Sequence, residues 1–155
     1  MKKILIASYY WDKRNSIGRQ RWFNFVKELT KKNIKVYVLT SSNENKIILK
    51  ENLTIIKRKS FDINTIFSKL FSSNYTSGVV DTSESTSNKF FSWLRVNLFF
   101  PDPRILWANS SYKFLLKFIK SENINTIITT SPPHSIHTIG RNLKKDLGIK
   151  WISDF

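Results

Sequence analysis

Near the start of the chain, KKILIAS at 2–8 forms a nearly unbroken apolar run. A run without polar alternation is what a strand buried on both faces of a parallel sheet requires. Residues 9–16 are polar and carry turn formers. Trp22, Phe25, Val26 and Leu29 then recur at helical spacing and predict a helix over about 17–32. Asn15 or Ser16 suits its start and Asn33 its end. Residues 34–40 (IKVYVLT) and 53–58 (LTIIKR) predict a second and a third strand.

The pattern loosens beyond this point. Residues 61–71 place Ile63, Ile66, Phe67 and Leu70 on one face of a short helix. Residues 72–89 are rich in Ser and Thr and predict a mobile surface loop. Residues 90–100 (FFSWLRVNLFF) are aromatic, apolar and basic, and Pro101-Asp102-Pro103 stops any helix there. Order returns with a helix over 107–121, buried through Leu115, Phe118 and Ile119, and a strand at 125–130 (NTIITT). A helix over 133–147 follows, with Ile136, Ile139, Leu143 and Leu147 in register, then a strand at 150–154 (KWISD).

Strands alternating with helices predict one Rossmann-like α/β domain over 1–155. Right-handed crossovers give it a parallel sheet with helices on both faces. The expected spatial order of the five strands is 3-2-1-4-5.

In such a sheet, ligands bind beyond the carboxyl ends of the strands, where strand order reverses. That rule selects three loops. The first runs from Tyr9 to Arg21. Free N–H groups at the following helix start favour an anion, Gly18 allows close backbone approach, and Arg19 or Arg21 can pair with phosphate. The bland alternative makes Gly18 a turn residue and both arginines solvated. The second loop is Ser131-Pro132-Pro133-His134-Ser135-Ile136-His137. Ser131 can cap the helix, with Pro in its first turn. His134 and His137 stand three apart, on one helical face and near a helix N-terminus that favours neutral imidazole. A neutral ring can donate to or accept from a sugar hydroxyl, and a packing role is the alternative. The third loop begins at Asp154, which can bind a hydroxyl, act as a base or cap a turn.

Composition narrows the chemistry. The 26 Lys and Arg against 11 Asp and Glu give a net charge of +15, which favours an anionic partner such as a membrane surface, a phosphorylated substrate or a nucleic acid. Drift in an AT-rich coding sequence, which also enriches Lys, Asn and Ile, is the alternative source. The chain has no cysteine, which excludes disulfides, thiolate metal sites and cysteine nucleophiles. No metal site is expected, because a helical zinc pair is usually four apart with a Glu between. There is no G-x-S-x-G elbow, P-loop or G-x-G-x-x-G fingerprint. No run approaches the ~18 apolar residues of a membrane span, and the first apolar run lacks a signal-peptide cleavage site. A cytoplasmic protein is expected.

Read together, these segments resemble the N-terminal domain of family 4-like glycosyltransferases, especially bacterial ones acting in surface polysaccharide synthesis. The resemblance is carried by ILIASYYWDKRNSIGRQRWFNFVKELTKK, PDPRILWANSSYKFLLKFIK, IITTSPPHSIHTIGRNLKKDLGIKW and WISDF. It covers most of the chain except about 41–90. It implies the acceptor-binding half of a two-domain (GT-B) fold, with a nucleotide-sugar donor held mainly by a C-terminal domain that is missing here. It implies transfer with retention, no cofactor, and a glycan or lipid-linked acceptor. By motif position His137 faces the reacting sugar, Gly18 lies near the donor phosphates, and Asp154 is the first Asp of an Asp-Phe-Arg-Asp motif. His134 falls on a variable position. The family often has Pro-Pro where this chain has Asp12-Lys13. A half-site of this kind implies an isolated chain with little or no activity.

Two further expectations concern partners. Segment 90–100 suits peripheral docking on an anionic membrane, with Lys89 and Arg95 meeting lipid phosphates; the alternative is a helix covering the core or the missing domain's face. A basic nucleic-acid-binding module is the competing function class, but the aromatics fall on helical stripes and strands, which argues for core rather than base stacking. A nicotinamide site lacks both its glycine fingerprint and an acidic residue after the second strand, where Thr40-Ser41-Ser42 stand.

Overall fold

The computed structural model describes residues 1–11, 17–60 and 101–155. The expected helix at 61–71, loop at 72–89 and aromatic segment at 90–100, with the caps Asn15 and Ser16, lie outside the described residues.

Six strands and three helices make up the described fold: β1 (Lys3–Ser8), α1 (Ile17–Lys31), β2 (Lys35–Ser42), β3 (Lys46–Lys50), β4 (Leu53–Lys59), α2 (Ile105–Glu122), β5 (Thr126–Thr130), α3 (Ile136–Leu147) and β6 (Lys150–Asp154). They form one sheet in the order β3-β4-β2-β1-β5-β6. Every pairing is parallel except that of β3 with β4. The fold is therefore Rossmann-like α/β, and the five strands expected from the sequence stand in the expected order.

Strand β3 is an addition that the sequence pattern did not predict. KIILK is flanked by Asn, Glu and Lys, and both Ile47 and Leu49 are exposed, so no buried face drives it. The available signal was the two-residue step Glu51-Asn52 between IILK and LTII, the spacing of a β-hairpin.

Alternation along each strand divides the core in two. Leu5 and Ala7 of β1, Tyr37 and Leu39 of β2, Ile56 of β4 and Ile127 of β5 face α2 and α3. Ile6, Val36 and Val38 face Trp22 and Val26 of α1, with Trp11 beside them. Leu115, Ile119, Ile136, Ile139 and Leu143 are buried along the expected helical stripes. Burial of each such side chain is worth roughly 1.5–3 kcal/mol. Phe25 departs from its expected place in the α1 stripe: it is 55% exposed and lies beside the Trp22 ring.

Each helix ends on a residue in the left-handed region: Asn33 (φ 55°) after α1, Asn123 (φ 54°) after α2 and Gly148 (φ 67°) after α3. These residues bear the turn that caps the last carbonyls. At the amino end of the sheet, Glu122 accepts from the Tyr37 hydroxyl, and Lys3 Nζ lies 3.7 Å away. The Tyr37 bond is the main reason that Glu122 is held below its usual carboxylate range.

Helix α3 lies close against β6 at Gly140. A Cβ there would run into the indole of Trp151. Gly140→Ala gains about 1 kcal/mol of helix propensity but incurs an overpacking cost of about 1–3 kcal/mol. Net destabilisation in urea unfolding is expected, and a stability gain would refute close packing at this point.

Candidate functional site at the carboxyl rim of the sheet

Strand order reverses between β1 and β5, both running parallel, so the loops after β1, β5 and β6 open at one rim. The aromatic loop after β1 is pinned there. The carbonyl of Tyr9 accepts from Ser41 Oγ at 2.7 Å and from Thr40 Oγ1 at 3.2 Å. The Tyr9 ring sits edge-on to Trp107 at 4.8 Å, and the Arg104 guanidinium lies 5.5 Å from its centroid. Tyr9 and Trp11 are thus buried anchors of the rim.

Gly18 and Arg19 belong to the first turn of α1, so the helix begins at the rim as expected. The Arg19 side chain lies outside what is described. Arg21 does not stand free for a phosphate: its guanidinium pairs with Asp154.

Asp154 serves as a brace. Its Oδ2 accepts from Arg21, from Trp22 Nε1 at 3.1 Å and from Thr130 Oγ1 at 2.8 Å. Three donors on one oxygen tie α1 to the ends of β5 and β6, while Oδ1 has no hydrogen bond among the described residues.

The second loop differs in detail from its sequence expectation. Helix α3 starts at Ile136 rather than 133, and Ser131 does not cap it. Instead the Ser131 N–H donates to the Asp154 carbonyl at 3.0 Å, prolonging the β5–β6 ladder. The acceptor at the helix start is Asp102, whose Oδ2 takes the Ser135 N–H at 2.7 Å while Oδ1 takes the Arg104 N–H at 2.8 Å. A carboxylate there suits both the free amides and the helix dipole. The sequence showed Asp102 as part of a helix stop; its reach across 33 residues to Ser135 had no local signal.

His134 is exposed in the turn before α3, and His137 is half-buried in its first turn. His137 Nδ1 lies 2.8 Å from Thr129 Oγ1, which also accepts from Trp151 Nε1 at 2.9 Å. The Phe155 ring lies 4.4 Å from the imidazole. Burial pushes the His137 pKa below the ordinary histidine value; His134 adds to the shift and Asp154 opposes it. Two polar atoms here, His137 Nε2 and Ser135 Oγ, are buried without a hydrogen-bond partner among the described residues. Buried polar atoms are nearly always paired, so these two are exceptions to the rule.

The expected convergence of Gly18, His137 and Asp154 needs one correction. Their segments do meet at one rim. Their side chains do not share a face, because Thr129 and Thr130 point to opposite sides of β5. His137 joins Thr129 on the α3 side and Asp154 joins Thr130 on the α1 side. Among the described residues, no group of three or more His, Asp or Glu is placed to hold a metal ion.

No family model matches the chain, and no curated protein sequence matches it. Its fold is similar to that of sucrose-phosphate synthase from Thermosynechococcus elongatus, with a TM-score of 0.59 at 10% sequence identity. The match covers 99% of this chain and 32% of that one, so this chain spans about a third of that protein's length. At this identity the likeness is one of fold.

Two outcomes are expected. Asp154→Ala strands the Trp22 and Thr130 donors and should lower stability by about 1–3 kcal/mol. Arg21→Ala removes a half-exposed ion pair and should lower it by about 0–1 kcal/mol. Equal losses in urea unfolding would show that charge pairing, not the two hydrogen bonds, holds α1. The second outcome concerns pH. His137 titrates lower in the folded chain than in the unfolded one. Its stabilisation is complete above the unfolded value of about 6.5. It declines as pH falls toward the lowered folded value, because the unfolded chain binds the proton first. The wild type should lose more stability than His137→Gln across that window; parallel pH curves would contradict it.

Proposed function

We propose that this chain is the acceptor-side domain of a glycosyltransferase. It would act in transfer of a sugar from a nucleotide-sugar to a glycan or lipid-linked acceptor in surface polysaccharide synthesis. The observation that carries the proposal is the His137 imidazole. Thr129 fixes its Nδ1, Phe155 lies on its ring, and its Nε2 is partnerless at the rim where parallel sheets bind ligands. Ser135 Oγ, two residues before, supplies a second unpaired polar atom. Neutral hydrogen-bonding groups of this kind suit sugar hydroxyls, and among the described residues no third His, Asp or Glu stands by to complete a metal site.

In this scheme His137 faces the transferring sugar. The bond from its anomeric carbon to the nucleotide phosphate breaks with the electron pair leaving on the phosphate, a bond to an acceptor hydroxyl oxygen forms, and the hydroxyl proton passes to the departing phosphate oxygen. The start of α1 at Gly18 offers backbone amides toward the donor phosphates. Asp154 holds α1 in place through Oδ2 and presents Oδ1 to the acceptor side. The fold match supports this division, since the chain corresponds to 32% of a sucrose-phosphate synthase. A second domain would then hold most of the donor.

The net charge of +15 fits an acceptor carrying phosphate, or an anionic membrane at which such an acceptor is displayed. The proposed setting is the cytoplasmic face of that membrane. Among the described residues, no helix is long and apolar enough to cross it.

The test is a titration of the 15N-labelled chain with oligosaccharides and nucleotide-sugars. Saturable shifts are expected at the end of β5, the start of α3 and the end of β6. They should be lost in His137→Ala and kept in His134→Ala. No response at the rim to any of them, together with steeply salt-dependent binding of an oligonucleotide, would overturn the proposal in favour of a nucleic-acid module.

A further inference from the structure

Thr129 decides which nitrogen of His137 carries the proton. Its side chain is fully buried, so no solvent competes for its hydroxyl. The hydroxyl has one proton to give and two lone pairs to offer. Trp151 Nε1 lies 2.9 Å away and, being a donor without acceptor capacity, takes a lone pair. His137 Nδ1, at 2.8 Å, is the other partner of that oxygen. Among the described residues no third group bonds to it. If Nδ1 carried the proton, Thr129 would accept from both the indole and the imidazole. Its own hydroxyl proton would then be buried without an acceptor. If Nδ1 is bare, Nε2 alone is left without a partner: the indole donates to Thr129, and Thr129 donates to Nδ1.

We infer that Thr129 is a positioning residue that holds neutral His137 with the proton on Nε2, making that second ring nitrogen a hydrogen-bond donor and not a base. The inference rests on the proposed sugar-facing role of His137 and sharpens it. A ligand at Nε2 must present an acceptor atom: a hydroxyl, ring or phosphate oxygen. Proton removal from an acceptor hydroxyl must be done elsewhere. The same wiring disfavours imidazolium, which would also place a proton on Nδ1 and turn the Thr129 hydroxyl proton away from its acceptor. Burial acts in the same direction on His137, as does the neighbouring His134; Asp154 is the group that opposes it. Trp151 belongs to the device because its indole, resting against Gly140 of α3, fixes the far end of the chain of bonds.

The arrangement places these steps on rigid elements. Thr129 sits on β5 and Trp151 on β6, and those strands pair Thr129 with Ser153 and Ile127 with Trp151. His137 sits one residue inside α3. Phe155, 81% exposed, lies on the imidazole and is the loosest member of the set, so a ligand can displace it at small cost in buried surface.

The experiment is side-chain 15N NMR of the full chain at a pH where His137 is neutral, with no ligand added. In the wild type, His137 should show a protonated Nε2 and a bare, hydrogen-bonded Nδ1. The Thr129 hydroxyl proton should exchange slowly enough to be seen coupled to Nδ1. In Thr129→Val the Nδ1 signal should move toward that of the exposed His134, and a measurable fraction with the proton on Nδ1 should appear. Thr129→Ser should restore the wild-type pattern. The backbone amide spectrum checks that each variant is folded; should the Val variant unfold, Trp151→Phe replaces it, with the same Nδ1 shift expected from a freed Thr129. A wild-type proton on Nδ1, or an Nδ1 signal indifferent to these substitutions, would overturn the inference. Because no sugar is present, such a result is separate from any failure of saccharide binding.

Discussion

Parallel pairing of β1 with β5 is the constraint on which the rest of the molecule depends. Leu5 to Ser8 run beside Ile127 to Thr130, while the other side of β1 is taken by β2. The chain must therefore leave the first strand toward one half of the sheet and return, much later, to fill the other half. Everything with chemical potential follows from that return. It sets the aromatic loop after β1 beside the Ser-Pro-Pro turn after β5, with the end of β6 on the other side of that turn. It also puts α1 on one face and α2 and α3 on the other, so the rim is backed by two cores, and the loop after β1 joins both through Tyr9 and Trp11.

The rim is built from a buried hydroxyl and half-buried carboxylates that each hold several neighbours. Asp102 joins the starts of α2 and α3, Asp154 joins α1 to two strands, and Thr129 joins β5, β6 and α3. In a core otherwise held by non-directional apolar contact, these bonds set orientation. They explain how a half-buried histidine can be presented in one pose by a sheet edge with no metal and no disulfide among its described residues.

Much of the fold was legible because its signals are local. Buried parallel strands read as apolar runs, helices as periodic stripes, and Asn33 marked the end of α1 by its own preference. What was not legible is long-range or unburied. β3 carries its apolar pair, Ile47 and Leu49, on an exposed face. The Asp102 cap spans the gap between two distant segments, and nothing near Ser131 showed that its amide would extend a ladder instead of capping a helix. The convergence of Gly18, His137 and Asp154 followed from topology, whereas the face each side chain occupies depended on strand register. A shift of one residue in β6 would have put Asp154 with His137. Arg21 illustrates the same limit, since a cation beside a rim reads as a ligand for phosphate until its carboxylate partner is seen.

The lysines that bracket β3 have a bearing on how the protein behaves in bulk. Among the described residues nothing pairs with the outer side of this strand, and Leu49 is 76% exposed beside that margin. Such a margin templates growth by a second molecule. An antiparallel neighbour would bring Lys46 of one molecule against Lys50 of the next and strip water from both ammonium groups. Two surface cations thus oppose edge-to-edge growth at the sheet margin opposite β6, a guard that works through desolvation and repulsion without touching the rim loops after β1 and β5.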